Sequence, residues 1–401
     1  MEATAAPILE IGLILLAAVA AGWLARRLTL PAVVGYLAVG LFVSPFTPGY
    51  VADHGQLQLL ADVGVVLLLF EVGIEVDVLR LRREHGALLW IAPLQAIATT
   101  VIAGGAFLLA GLEPVPAGLL GVSIALSSSV VIVNIIRSRR RTTDRRTEQA
   151  LLGWSVLQDL TGVAIAAVLL ALLDSGERGL PAWLAGFAAF AAVSVLVAYA
   201  LPRVLRHLRA DHDLFLIVAV AVGLSLAGLG AVAFGVPLAL AAFVGGIAIS
   251  EGHDASEARR RLLPFRDVFA VLFFVAIGTL VDPGELGQAL PWIGLVLGLI
   301  LVAKVGLSWG LIRISGMDAR PAQLAVGLGQ IGEFSFVLAS AALAAGAIEQ
   351  TLFVAIIAAV AVSIATSTIV VRLVRVPEPV AEPVRTPVVP GRIGWRSRTG
   401  R

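Results

Sequence analysis

Three ionisable side chains fall near the centres of long apolar runs, where a charge costs roughly 2.5–3.5 kcal/mol on insertion scales. Asp159 lies within Trp154-Ser155-Val156-Leu157-Gln158-Asp159-Leu160, Lys304 is the single lysine of the chain, and Glu333 lies within Gly329-Gln330-Ile331-Gly332-Glu333-Phe334. Groups kept at such a cost are functional candidates. Desolvation disfavours the charged form of Asp159. A monovalent cation would stabilise that charged form and a proton would neutralise it, so two ligands compete for one carboxylate. If only the neutral, occupied site crosses a membrane cheaply, exchange of cation for proton follows. Gln158 beside it can offer an amide oxygen but adds no second titrating charge.

Two further stretches could shape such a site. Ser127, Ser128 and Ser129 sit in the middle of another apolar run, and their hydroxyls can compete for backbone partners. Gly327, Gly329 and Gly332 weaken the helix around Glu333. Both helices are expected to break mid-membrane, freeing carbonyls that can coordinate a cation and leaving half-helix dipoles facing the gap. Lys304 either pairs with a carboxylate or caps broken-helix carbonyls as a fixed positive charge. Glu333 reads more readily as a polar latch between helices than as a ligand. Glu71, Glu75 and Asp77 are expected to approach the cytoplasmic face and be solvated.

The elements that must position these residues follow from composition. Of 401 residues, 59% are hydrophobic and 14% charged, and the mean hydropathy is +0.97. Lipid is the solvent such a chain demands. Apolar runs between charged or Pro/Gly-rich breaks place about thirteen helices, at about 7–25, 30–44, 57–77, 86–111, 115–136, 148–173, 181–202, 213–231, 235–250, 267–282, 289–314, 320–346 and 348–373. The eighth and ninth are divided only by Phe234-Gly235-Val236-Pro237, and the second and ninth are short. With the N-terminus outside, the arginines fall on inward connections, including Arg137–Arg146 and Arg259–Arg266; only Arg178 falls outward. That alternation supports an odd count and a cytoplasmic C-terminus. Trp23, Trp90, Trp183 and Trp292 lie near span ends and read as interface anchors. The proline-rich residues 376–401 are expected to be a disordered tail.

The serine-bearing fifth run and the glycine-bearing twelfth are seven helices apart, and an odd offset reverses orientation. Helices one to six and eight to thirteen are therefore expected to be inverted repeats linked by the helix at about 181–202, with the site at their interface. The fold expected is an all-α membrane protein with broken, crossing helices.

At these residues the chain resembles the Kef-type branch of the monovalent cation/proton antiporters. Gly35-Tyr36-Leu37 with Gly40 is similar to that family's GYLxxG. Gly64-Val65-Val66-Leu67-Leu68-Leu69-Phe70, with Gly73 and Glu75, is similar to its GVxLLLFxxGLE. Ala125-Leu126-Ser127-Ser128-Ser129 resembles ALSST, Leu272-Phe273-Phe274 with Gly278 resembles LFFxxxG, Gln158-Asp159 matches the QD pair, and Gly332-Glu333-Phe334 matches GEF. The resemblance spans about residues 7–375. It implies a sodium/proton-antiporter-like elevator, with core helices at about 86–173 and 289–373 moving against panel helices at about 7–77 and 213–282. It implies a homodimer through the panel, Asp159 as the cation and proton site, and potassium or sodium as substrate. Two departures stand out. A nucleotide-binding regulatory domain often follows the last helix in that family; here the tail is short, so such regulation is expected to be absent or supplied by a separate subunit. Glu71 puts a carboxylate where the family usually has an apolar residue.

The chain has no cysteine. His54, His85, His207, His212 and His253 are read in polar connections without paired-His spacing, so no structural metal, cofactor or enzyme chemistry is expected. A net charge of +2 and a pI near 9.5 could suggest nucleic acid, but topogenic arginines account for them. The expected setting is the cell (inner) membrane, with lipid as a contact of the basic loops. Two other functions fit the same scaffold: a sodium-coupled symporter of an organic anion, and a cation channel or sensor.

Overall fold

The computed structural model describes residues 2–28, 30–48, 54–75, 86–128, 131–132, 144–174, 179–208, 211–250, 255–317 and 319–373. Ser129, Asp77, Arg178, His85, His253 and the tail at 376–401 lie outside them. Among the described residues all regular structure is helical. The helices are α1 (Glu2–Arg27), α2 (Ala32–Phe42), α3 (His54–Glu75), α4 (Leu88–Leu109), α5 (Pro114–Ala125), α6 (Arg145–Asp174), α7 (Gly179–Leu208), α8 (His212–Phe234), α9 (Leu238–Ser250) and α10 (Ala255–Thr279). Then come α11, built from Leu286–Leu299, a π-helical stretch Ile300–Gly306 and Leu307–Ser315, followed by α12 (Pro321–Leu328), α13 (Phe334–Ala344) and α14 (Gln350–Leu373). Nine helices among the described residues are long and apolar enough to cross a membrane. Ala32–Phe42, Pro114–Ala125, Leu238–Ser250 and Phe334–Ala344 are apolar but shorter.

The breaks have local causes. Gly235 caps α8 in the left-handed conformation (φ 66°), a backbone that costs glycine least, and Pro237 precedes α9. The expected fifth run is interrupted after Ala125, and the twelfth is two helices, α12 and α13. In contrast, α10 begins at Ala255, well before the expected 267. Its first turns carry Arg259, Arg260 and Arg261, so hydropathy reads them as a loop although they continue the helix.

The closest packing sorts the helices into two groups. In one, α3 lies against α9 and α10, α2 against α1 and α10, and α8 against α7 and α9. In the other, α4, α5 and α6 pack together, α13 lies against α5, and α14 lies against α11, α12 and α13. The first group is glycine-tight. A Cβ on Gly40 would stand 2.0 Å from the Val275 carbonyl oxygen, and one on Gly278 2.3 Å from that of Leu37. Gly73 and Gly246 meet in the same way. Such contacts let helix backbones touch, the main source of helix adhesion where lipid removes the hydrophobic drive. Aromatic edges join the two groups: Phe243 of α9 meets Phe334 at 6.1 Å, and Phe274 of α10 meets Phe336 at 5.6 Å.

Lipid-facing positions are apolar, as on α1, where Ile8, Leu9, Leu13, Leu16 and Val19 are exposed. Trp23 and Trp90 are exposed, consistent with interface anchoring. Trp183 departs from that expectation: it is buried and stacks on Phe187 at 5.3 Å. Trp292 is partly buried against Phe107.

Candidate ion site at a helix crossing

Two interrupted helices meet near the middle of the second group. After Ala125, Leu126 turns to extended backbone (ψ 143°), and α12 ends at Leu328. Both ends are C-terminal, so unpaired carbonyls accumulate there. The chain satisfies them across the crossing. The Leu126 carbonyl accepts from Gly332 N–H at 3.0 Å and from Lys304 Nζ at 2.5 Å. Ser127 Oγ donates to the Leu328 carbonyl at 2.8 Å. Gln330 acts as a two-way clamp, accepting from Ser128 N–H at 2.9 Å and donating to the Ser128 carbonyl at 3.1 Å. Lys304 Nζ also donates to the Gln330 carbonyl at 2.7 Å. Ile331 N–H is taken by Ser363 Oγ at 3.2 Å. Gly332 is required by proximity: a Cβ there would stand 2.9 Å from the Ser127 carbonyl carbon.

Lys304 thus caps carbonyls of both interruptions, one of its two expected roles. A cation at two helix C-termini is electrostatically favoured. It is fully buried and lies within electrostatic range of Asp159. Asp159 and Gln158, on α6, are both buried. Gln158 donates its Nε2 to Gln95 Oε1 on α4, and its own Oε1 finds no hydrogen-bond partner among the described residues. The N-terminus of α6 is held by Asp144, whose Oδ1 accepts from Thr147 N–H at 2.9 Å and Arg146 N–H at 3.1 Å. Its Oδ2 accepts from Thr147 Oγ1 at 2.8 Å and pairs with Arg320 at 3.1 Å, just before α12.

The expected site residues are therefore brought together unevenly. Asp159, Lys304, Ser127 and Ser128 share the crossing region. The serine contacts described hold the interruption itself: Ser127 binds Leu328, and Ser128 Oγ receives Val131 N–H at 3.3 Å. Glu333 stands at the start of α13, half-buried, within electrostatic range of Arg266 on α10. Glu71 corrects an expectation. It is 1% exposed rather than solvated, and it pairs with both Arg259 and Arg266, the latter at 2.8 Å. A buried carboxylate needs such partners, and the two arginines, seven residues apart, share one helix face. That spacing was the available signal. Gln95 and Gln330 were also missed, because neither is ionisable and neither stands next to an ionisable residue as Gln158 does. Among the described residues no cluster of His, Asp and Glu could hold a structural metal.

Comparison with known proteins gives three findings. The family model described as sodium/hydrogen exchanger, transmembrane, matches residues 14–375. The candidate cation/proton antiporter YbaL of Escherichia coli strain K12 is 32% identical over 347 residues, covering 82% of this chain. The chain spans 61% of that relative's length. The structure of the sodium proton antiporter MjNhaP1 from Methanocaldococcus jannaschii, at pH 8, superposes with a TM-score of 0.71. It is 18% identical and covers 93% of this chain and 98% of that one, a likeness of fold.

Proposed function

This chain belongs to the sodium/hydrogen exchanger family, a family of transporters rather than enzymes, and from that premise we propose that it exchanges potassium or sodium for protons through Asp159. The observation that carries the reading is a buried carboxylate beside the sole lysine, at the crossing of two interrupted helices. Cation and proton compete for that carboxylate. One titrating aspartate gives one cation per proton and hence electroneutral exchange.

The movement proposed is an elevator. The group of α4–α6 and α11–α14 carries Asp159 and the crossing as one unit, because their polar bonds join α5, α6, α11 and α12. The group of α1–α3 and α8–α10 serves as the panel and dimer surface. Thirteen crossings with inverted repeats, an outside N-terminus and a cytoplasmic C-terminus in the cell membrane complete the proposal. Gln158 in place of a second acid, and the Kef-type motifs, lean toward potassium.

The test uses proteoliposomes with an acidic lumen and a trapped pH dye. Addition of potassium or sodium outside is expected to alkalinise the lumen, and Asp159→Asn is expected to abolish the response. Unchanged exchange in Asp159→Asn would remove Asp159 from the mechanism. Labelled-anion uptake driven by sodium, without proton movement, would favour a symporter.

A further inference from the structure

Gln158 does more than sit beside Asp159: the orientation of its amide is dictated from a neighbouring helix. The chain of bonds starts at the Ala303 carbonyl, in the π-helical stretch just before Lys304. A carbonyl can only accept, so Thr99 Oγ1 spends its one proton on it, at 2.7 Å. The Thr99 oxygen can then only accept, and it does so from Gln95 Nε2 at 2.8 Å. Gln95 must therefore turn its Oε1 the other way. There it accepts from Trp154 Nε1 at 3.2 Å and from Gln158 Nε2. The indole can only donate, so it enforces the same polarity independently. Gln158 is left one arrangement: nitrogen toward Gln95, oxygen away from it.

Every side chain in this relay is buried: Gln95, Thr99, Trp154 and Gln158 all have 0% exposure. The relay ends in the Gln158 Oε1 that has no hydrogen-bond partner among the described residues. Leaving a buried acceptor unsatisfied is costly, unless it has a partner of another kind. An amide oxygen is a hard ligand for a monovalent cation, whereas an amide nitrogen presents two positive N–H dipoles and repels one. A flipped amide would thus turn a ligand into a barrier.

We infer that Gln95 is a positioning residue, fixed by Thr99, which makes Gln158 present its carbonyl oxygen as a neutral ligand to the transported cation. This rests on the proposed exchange at Asp159. The relay also ties the ligand's polarity to the backbone that carries Lys304. A change in the π-helical stretch would reach Gln158 through Thr99 and Gln95.

The test measures exchange in proteoliposomes for Gln95→Met, Gln95→Glu and Thr99→Val. Gln95→Met keeps the volume but removes the acceptor. It is expected to raise the apparent KM for the cation about tenfold, with maximal rate within about twofold. Gln95→Glu keeps an acceptor toward Trp154 and Gln158 and is expected to hold KM at or below the wild-type value. Thr99→Val removes one of the two groups that fix the Gln95 amide, leaving Trp154 alone to hold it, and is expected to fall between them. An unchanged KM in Gln95→Met, or an equal rise in Gln95→Glu, would overturn the inference, since packing alone would then explain the site. If Gln95→Met does not fold, an unchanged KM in Thr99→Val overturns it. If the wild type shows no exchange at all, the exchange reading fails separately. The relay is then judged by thermal stabilisation of the detergent-solubilised protein by potassium or sodium chloride. Stabilisation of the wild type that Thr99→Val weakens supports it; none in the wild type, or no difference, overturns it.

Discussion

The helix crossing and the α2–α10 contact are both places where backbones touch, yet they are held by opposite means. At α2–α10 each helix keeps its own hydrogen bonds, and Gly40 and Gly278 simply remove the side chains between them. At the crossing the helices have given up their own bonds, and Lys304, Gln330, Ser127 and Ser363 replace them. One contact is steric and electrically silent. The other is a lattice of dipoles around Lys304, near the buried Asp159. Low-polarity surroundings make backbone satisfaction obligatory, so an interruption is tolerated only where side chains finish it, and those side chains become available for function.

The strongest way to break this contrast is Lys304→Met. It leaves the Gln330 carbonyl without the buried donor described for it, at about 1–3 kcal/mol, takes one of two donors from the Leu126 carbonyl, and leaves Asp159 without its neighbouring cation. A large drop in thermal stability in detergent is expected, together with lost exchange; wild-type stability would show that the amide and hydroxyl bonds suffice. Next is Gly278→Val. Its Cβ would drive into the Leu37 carbonyl, and overpacking of this kind costs about 1–3 kcal/mol. It should lower thermal stability while leaving the cation KM of the surviving protein unchanged. A shifted KM would mean that the panel contact and the ion site are not separable.

The smallest effect is expected at Asp144. Partial burial pushes its carboxyl up, but the Thr147 backbone and hydroxyl bonds, helped by Arg320, outweigh this and hold it below the usual carboxylate value. A depressed folded-state value means that the contribution is present above the unfolded value and is lost as pH falls through the folded one. Asp144→Ala should cost about 1 kcal/mol at neutral pH, as an N-cap deletion does. The difference from wild type should shrink in acid, below the range where free carboxylates titrate. A difference that persists unchanged there would mean that the carboxylate charge is not what caps α6.

Much of this architecture was legible from residue order. Apolar runs gave the helices, and the serine run and the Gly327–Gly332 segment marked both interruptions. Asp159 and Lys304 stood out because charge in lipid is expensive. Other features were hidden for physical reasons. Glu71 looked solvated because its partners lie in a stretch too arginine-rich to read as helix. Gln95 carries no charge, and its importance arises only from the donor–acceptor parity of groups on three helices. Ser127 was read as a ligand, and the contact described for it joins the two interrupted helices, a bond that residue order does not show.

Lys304 has a further consequence when its protons are counted. As an ammonium it has three N–H bonds, and the Leu126 and Gln330 carbonyls engage it at two contacts. A neutral amine still has two. The lysine can therefore surrender one proton and keep both carbonyls bonded, so the scaffold stands whether this side chain is loaded or discharged.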